Sequence, residues 1–269
     1  MTAPDSTFVH GTPTNIGLDH WCDRLGGAAE GVSGNPFPNT LVRHCSPVGP
    51  YRPISSPHSQ GSAIHELASR LRRLPASCGP VRLVGIDGHA GSGKTTFAGK
   101  LSRALDDAPV LHLDDIASHD ELFAWTRRLL TQALEPLHRG ETAEYNPYDW
   151  HARRFGPPRL LPPAPVVLIE GVGAGRRALR PHLACLLWME LLSEESWARG
   201  FRRDGEEQRE FWGEWVSAER RHFAEDPSRP FADALVRQCL KGYEVLPGPV
   251  NTAGPDQELT LGDGPSALC

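Results

Sequence analysis

Eight residues constrain this chain more than any others. Gly88-His-Ala-Gly-Ser-Gly-Lys94-Thr95 matches the pattern G-x-x-x-x-G-K-[ST] in full. Glycines at this spacing let backbone N–H groups turn inward around phosphate oxygens with no Cβ in the way. A helix starting at Lys94 adds the positive end of its dipole. Lys94 reaches β- and γ-phosphates as a point charge, and Thr95 offers a hydroxyl to Mg2+. The expected phosphate-holding set is Gly88, Ala90, Gly91, Ser92, Gly93, Lys94, Thr95 and Thr96. The bland alternative is a Gly-rich turn that contains Lys by coincidence.

The flanking sequence supplies the context such a loop needs. Val81-Arg-Leu-Val-Gly-Ile-Asp87 is short, apolar and β-branched, which predicts a buried strand. The spacing predicts a helix over 94–105. Pro109 to Asp115 reads as a second strand, Pro165 to Glu170 as a third, Ala184 to Glu190 as a fourth and Ala234 to Arg237 as a short last one. Helical spacing appears from Ser62 to Leu74, from Asp120 to His138, and from Ser193 to His222 with a break at Asp204-Gly205. Residues 140–165 are rich in Tyr, Pro, Arg and Trp and give no simple pattern. Strands alternating with helices predict an α/β fold: a doubly wound parallel sheet of about five strands, helices on both faces, and a small helical lid near 193–222.

Composition sets the boundaries. Residues 1–61 are rich in Pro and Gly and carry no sustained period, so they read as an irregular N-terminal extension before a domain over 62–240. Residues 241–269 read as a flexible tail. The six cysteines are scattered with no metal-ligand spacing, which favours separate reduced thiols. A net charge of −5 argues against a chain that coats nucleic acid or anionic membrane. The chain lacks a basic start followed by an apolar run, and its longest strongly apolar stretch is too short to span a bilayer, so the expected location is the cytoplasm. Oligomeric state is left open, a homo-oligomer included.

Carboxylates stand where α/β sheets place ligands, at the ends of predicted strands: Asp114, Asp115 and Glu170. Each has a bland alternative, a helix cap for the aspartates and a salt bridge for Glu170. Arg199, Arg202 and Arg203 share one helix face by spacing. Facing the Gly-rich loop they would neutralise charge on a transferred phosphoryl group. Facing water they are an ordinary solvated helix. Phe211, Trp212 and Trp215 read as packing between lid helices.

Several absences narrow the reading. The chain has no Asn-Lys-x-Asp guanine-reading motif and no Leu-Ser-Gly-Gly-Gln segment, and its third strand ends in a single Glu. What remains resembles the P-loop kinases of small molecules, in particular the uridine kinase-like family, over about residues 62–237. The resemblance rests on Ile86 to Thr96, His112-Leu-Asp-Asp115, Tyr145-Asn-Pro-Tyr-Asp-Trp150, Ile169-Glu-Gly171 and the Arg-rich helix. It is closer to an unassigned bacterial branch than to authentic uridine kinases.

The resemblance implies ATP and Mg2+ as cofactors and a small-molecule hydroxyl as acceptor, with a nucleoside first among candidates. By resemblance Asp114 takes the proton, Asp115 supports Mg2+ through water or the acceptor site, and Glu170 lies near the metal. Arg199 and Arg203 act on the reaction, and Arg202 on the nucleotide. Tyr148, Asp149, His151 and Arg153 would line the acceptor site. Uridine kinases carry an aromatic three positions after the Asp, and here that position is Ala117. Two other readings remain. A monophosphate or specialised-metabolite kinase would draw on Arg153, Arg154, Arg176 and Arg177. A nucleotide-binding regulator would use its N-terminal extension to engage a partner.

Overall fold

The computed structural model describes residues 62–249. The expectations for residues 1–61 and for the tail beyond 249 lie outside the described residues. In chain order come α1 (Ser62–Arg73), β1 (Arg82–Asp87), α2 (Lys94–Ala104), β2 (Val110–His112), α3 (Leu113–Ile116) and α4 (Thr126–Leu129). A π-helical turn (Leu130–Leu134), α5 (Glu135–His138), β3 (Ala143–Tyr145), β4 (Tyr148–Asp149), β5 (Arg154–Phe155) and β6 (Arg159–Leu161) follow. The chain then runs through β7 (Val166–Glu170), β8 (Cys185–Met189), α6 (Ser193–Asp204), α7 (Arg209–Glu225), β9 (Ala234–Cys239) and β10 (Gly242–Pro247).

The main sheet has the order β10-β9-β8-β1-β7-β2. Five strands are parallel, and β10 pairs antiparallel with β9 at the edge. β1 is central, and its side chains alternate between two cores. Leu83, with Val167 and Ile169 of β7, packs under Leu129, Leu134 and Leu137 on one face. Val84 and Ile86, with Leu168, pack under α1 and α2 through Leu67, Leu71, Phe97 and Leu101 on the other. A strand buried on both faces must read as an unbroken apolar run, which is why β1 and β7 were legible.

Three local expectations change, and one stretch without a readable pattern takes form. The second strand stops at His112, because as an edge strand pairing only with β7 it can leave the sheet early; Asp114 and Asp115 therefore sit on the first turn of α3. The helix expected from Asp120 starts at Thr126. Before it, Glu121 N bonds Ser118 O at 3.1 Å, and Trp125 is buried with its indole N–H on Leu122 O at 3.1 Å. Residues 143–161 form two small hairpin pairings, β3 with β6 and β4 with β5. The domain also runs past 240: Gly242 onward, expected as tail, forms β10, whose Val245 is buried in the second core.

The lid has its own core. Trp197, Phe211, Trp212 and Trp215 bury against Val172, and the break between α6 and α7 falls at Gly205, where φ is +93°. Among the described residues no helix is long and apolar enough to cross a membrane.

Candidate active site

The Gly-rich loop joins the C-terminal end of β1 to α2, and it is pinned on both sides. Asp87, fully buried, accepts from Gly88 N at 2.7 Å and from Gly173 N and Gly175 N at 2.9 and 2.8 Å. This ties the loop's root to the turn after β7. At the tip, Gly91 has φ +82°, and a Cβ there would stand 2.1 Å from Ser196 O of α6. Only a glycine lets the loop lie this close to the lid helix. Lys94 Nζ donates to Gly88 O and His89 O, both at 2.9 Å, so its ammonium is folded over the loop.

A cavity of about 270 Å3 opens against this loop. Its wall includes Ala90, Gly91, Gly93, Lys94, Thr95 and Thr96, together with Asp114 from the first turn of α3, Glu170 from the end of β7, and Arg199 and Arg203 from α6. The structure thus brings together most of the residues that the sequence singled out. Gly88 and Ser92 belong to the loop but do not line this wall. Ser92 instead lines a second cavity of about 690 Å3, which shares Arg199 and is bounded by Met189, Leu191, Val236 and Gln238. Arg202 is exposed and lines neither cavity. Arg199 and Arg203, one helical turn apart, both reach the wall of the first cavity while staying partly exposed.

Carboxylate chemistry in the first cavity is set by neighbours. Thr95 Oγ1 donates to Glu170 Oε1 at 3.0 Å, and His112 Nδ1 lies 2.5 Å from the same oxygen. Burial alone would lower the His112 pKa, but the Glu170 hydrogen bond and charge, with Asp115 and Asp114, hold it above the ordinary histidine value. Asp114 is pushed up to about 6, first by removal from water and then by the Glu170 charge, against the pull of Lys94 and His112. A carboxyl at this value is poised to accept a proton near neutral pH.

On the lid side, Arg203 makes two bonds to the buried Asp204, at 2.5 and 2.8 Å, and Trp212 Nε1 donates to the same carboxylate at 3.2 Å. Arg199 pairs with Glu195 one turn earlier at 2.9 Å.

None of the residues expected to line the acceptor site, Asp115, Tyr148, Asp149, His151 and Arg153, lines either of these cavities. Tyr148 is buried, its hydroxyl 2.5 Å from His119 Nδ1, and its ring packs edge-on to Trp150 and Phe155. Trp150 Nε1 donates to Asp114 O at 2.9 Å and so braces α3. Asp115 is occupied by Arg159 at 2.6 Å and Tyr145 OH at 3.3 Å, which makes it a tie between α3 and the β3–β6 hairpin, not a helix cap. Asp149, His151 and Arg153 do not line the cavity. Asp149 Oδ1 accepts from His151 N and Ala152 N, and these backbone bonds, Ala152 first, hold its pKa below the usual range. That arrangement closes a turn in which Arg153 has φ +53°. Arg176, offered for an anionic acceptor, is buried instead: it stacks 3.7 Å from the Trp125 ring centroid and bonds Phe123 O at 2.9 Å. Burial lowers its pKa to about 10.

Sequence reasoning missed Asp87, His89, His112, Arg159 and Glu219. Glu219 carried a visible signal. It continues the apolar stripe Phe211, Trp212, Trp215 along α7, and a charge on a buried helix face needs partners. Burial pulls the Glu219 pKa up, but the bonds from His89 and Trp197 and the Lys94 charge bring it below the ordinary value.

No protein-family model matches the chain. A stretch of 111 residues is 32% identical to inorganic pyrophosphatase TTM2 of Arabidopsis thaliana, covering 38% of this chain and 16% of that protein. The chain thus spans about a sixth of the length of this curated relative. Among solved structures it is similar to a candidate uridine kinase from Bacillus stearothermophilus, at 20% identity and a TM-score of 0.42, over 59% of this chain and 94% of that one. It is also similar to a candidate fructose transport system kinase from Silicibacter sp. TM1040, at 23% identity and a TM-score of 0.41, over 52% of this chain and 80% of that one.

Proposed function

We propose that this protein is a phosphotransferase that moves the terminal phosphoryl group of ATP to a hydroxyl of a small molecule, with nucleosides as the first acceptor class. One observation carries the reading. Lys94, Thr95, Glu170, Asp114, Arg199 and Arg203 come from four separate stretches of sequence and line one cavity of about 270 Å3.

Their chemistry divides the work. Loop amides and the α2 N-terminus bind the phosphates, and Lys94 turns from its loop carbonyls to phosphate oxygens. Asp114, with its pKa near 6, accepts the proton of the attacking hydroxyl. Arg199 and Arg203 offset charge on the transferred group and help exclude water. The base and ribose would lie in the second cavity, which shares Arg199 with the first. The aromatic corner of Tyr148 and Trp150 backs the acceptor side through α3.

The residues also suit Mg2+. Thr95 and Glu170 give two hard oxygen donors 3.0 Å apart, the kind of sparse protein contribution Mg2+ accepts when phosphates and water complete its octahedron. Thr95 and Glu170 would hold such an ion, which would supply positive charge against the phosphates. His112 fixes the Glu170 carboxylate, and Thr95 presents its hydroxyl from the first turn of α2.

The test is mass spectrometry of reactions with Mg·ATP and a panel of nucleosides, nucleoside monophosphates and sugars. Lys94→Ala serves as the background. A phosphorylated product made by the wild type and not by Lys94→Ala supports the reading and names the acceptor class. Binding of ATP without product from any acceptor class favours a nucleotide-binding regulator.

A further inference from the structure

The Glu219 carboxylate is completely buried in the lid, and no step above uses it. Four donors converge on it. His89 Nδ1 and Trp197 Nε1 lie 2.7 and 3.0 Å from Oε1. Ala90 N and Trp215 Nε1 lie 3.2 and 2.8 Å from Oε2. Two of these donors belong to the Gly-rich loop, one to α6 and one to α7. Glu219 thus ties the Gly-rich loop, α6 and α7 together through a single carboxylate. A buried carboxylate is costly unless each oxygen is satisfied, and here both are.

The connections extend from there to the reacting groups. His89, gripped through its ring, supplies through its carbonyl one of the two bonds that hold Lys94 Nζ. Its ring also meets Trp197 edge-on at 5.7 Å. Trp197 lies on α6 two positions before Arg199 and six before Arg203. Trp215 reaches the wall of the phosphate cavity itself.

We propose that Glu219 is a positioning residue that registers the arginine-bearing helix α6 on the phosphate loop, so that holding a triphosphate and presenting Arg199 and Arg203 to it are coupled. Glu219 touches neither substrate nor metal. It acts through His89 and Ala90 on one side and through Trp197 on the other. The inference rests on the reading of the loop as a triphosphate site.

The test compares the full chain with Glu219→Gln, using fluorescent mant-ATP and mant-ADP with Mg2+. The amide keeps the shape but replaces one acceptor with a donor aimed at other donors. The diphosphate is held mainly by the α2 N-terminus and Lys94, so mant-ADP affinity stays within about threefold. The mant-ATP affinity falls about tenfold or more, because the γ-phosphate loses its registered arginines. Arg203→Ala gives the same loss of preference, and the double variant adds little beyond either single one. Glu214→Gln, exposed on the same helix, changes neither affinity.

A merely structural role would lower the melting temperature and leave the ATP-to-ADP preference intact; that result overturns the proposal. If Glu219→Gln does not fold, Trp197→Phe removes one donor with a ring retained. It is expected to shift the preference in the same direction by a smaller factor, and an unchanged preference there is equally fatal. Wild type that binds neither nucleotide overturns both this proposal and the site reading. Wild type that binds both, with Glu219→Gln matching it, overturns the positioning role alone.

Discussion

Thr95 Oγ1 donates to Glu170 Oε1 at 3.0 Å, joining the first turn of the helix after the Gly-rich loop to the end of the neighbouring parallel strand. The bond bridges 75 positions of sequence. Both side chains are hard oxygen donors on the wall of one cavity. Removing either should therefore show as a demand for more Mg2+. Thr95→Ala and Glu170→Gln are each expected to raise the Mg2+ concentration for half-maximal phosphotransfer about tenfold, the size of one lost charge-assisted contact. A magnesium titration at fixed ATP checks this; an unshifted midpoint would remove these two residues from the metal's surroundings.

The raised pKa of Asp114 has consequences of definite sign. Phosphotransfer should fall as pH drops through about 6, as the carboxyl takes up its proton and stops serving as base. Asp114→Asn should abolish that acid limb and lower kcat by about two to four orders of magnitude.

Stability should move the other way. The folded pKa lies above the unfolded value near 3.9, so the ionised carboxyl costs stability above about pH 6 and the cost fades as pH falls toward 4. Asp114→Asn is expected to be more stable than wild type at pH 8 by about 2 kcal/mol, the two-unit rise discounted for residual exposure. The gap should close near pH 4. Chemical denaturation at both pH values measures it, and a less stable variant at pH 8 would contradict the burial argument.

The three clustered arginines should separate cleanly. Arg203→Ala and Arg199→Ala are expected to lower kcat by about ten- to a thousandfold, as losses of charge stabilisation commonly do. Arg202→Ala should stay within about twofold, because Arg202 lines neither cavity. Steady-state kinetics on the three single variants decides. Equal losses at all three positions would mean that the lid adopts a different rotation during turnover.

Inside the lid, the α6 backbone lies close against a ring of α7. A Cβ on Gly200 would stand 2.1 Å from Trp212 Cη2. In an isolated helix Gly→Ala stabilises by about 1 kcal/mol. Here the overpacking should outweigh that gain, giving a net loss of about 1–3 kcal/mol in thermal or chemical unfolding. A stabilised Gly200→Ala would show that α6 and α7 can spread apart.

How much of this was legible in sequence follows from the range of the interactions. The Gly-rich loop, the apolar strands β1 and β7, the stripe of α1 and the break at Gly205 were all readable, because each depends on neighbours within a few residues. The end of β2 was misjudged by three residues. Its apolar pattern says strand, while its place at the sheet edge lets Leu113 turn into α3. Strand β10 was taken for tail, because an edge strand with one buried valine carries little periodicity. Asp149 looked like an acceptor ligand by motif and is occupied closing its own turn.

The local chain determined what kind of site this is: a Gly-rich loop between strand and helix, with carboxylates at the ends of apolar segments. Helical spacing, dipoles and glycine freedom act over a turn or two, so no tertiary contact is needed to specify them. Which arginines face the cavity, which aspartate is tied up by Arg159, and where the lid meets the loop were decided only by the folded chain. His89 and Glu219 lie 130 positions apart. No local pattern pairs them. They meet because the parallel sheet brings β1 and the segment after β8 side by side, and because a buried carboxylate must find its donors wherever the fold delivers them.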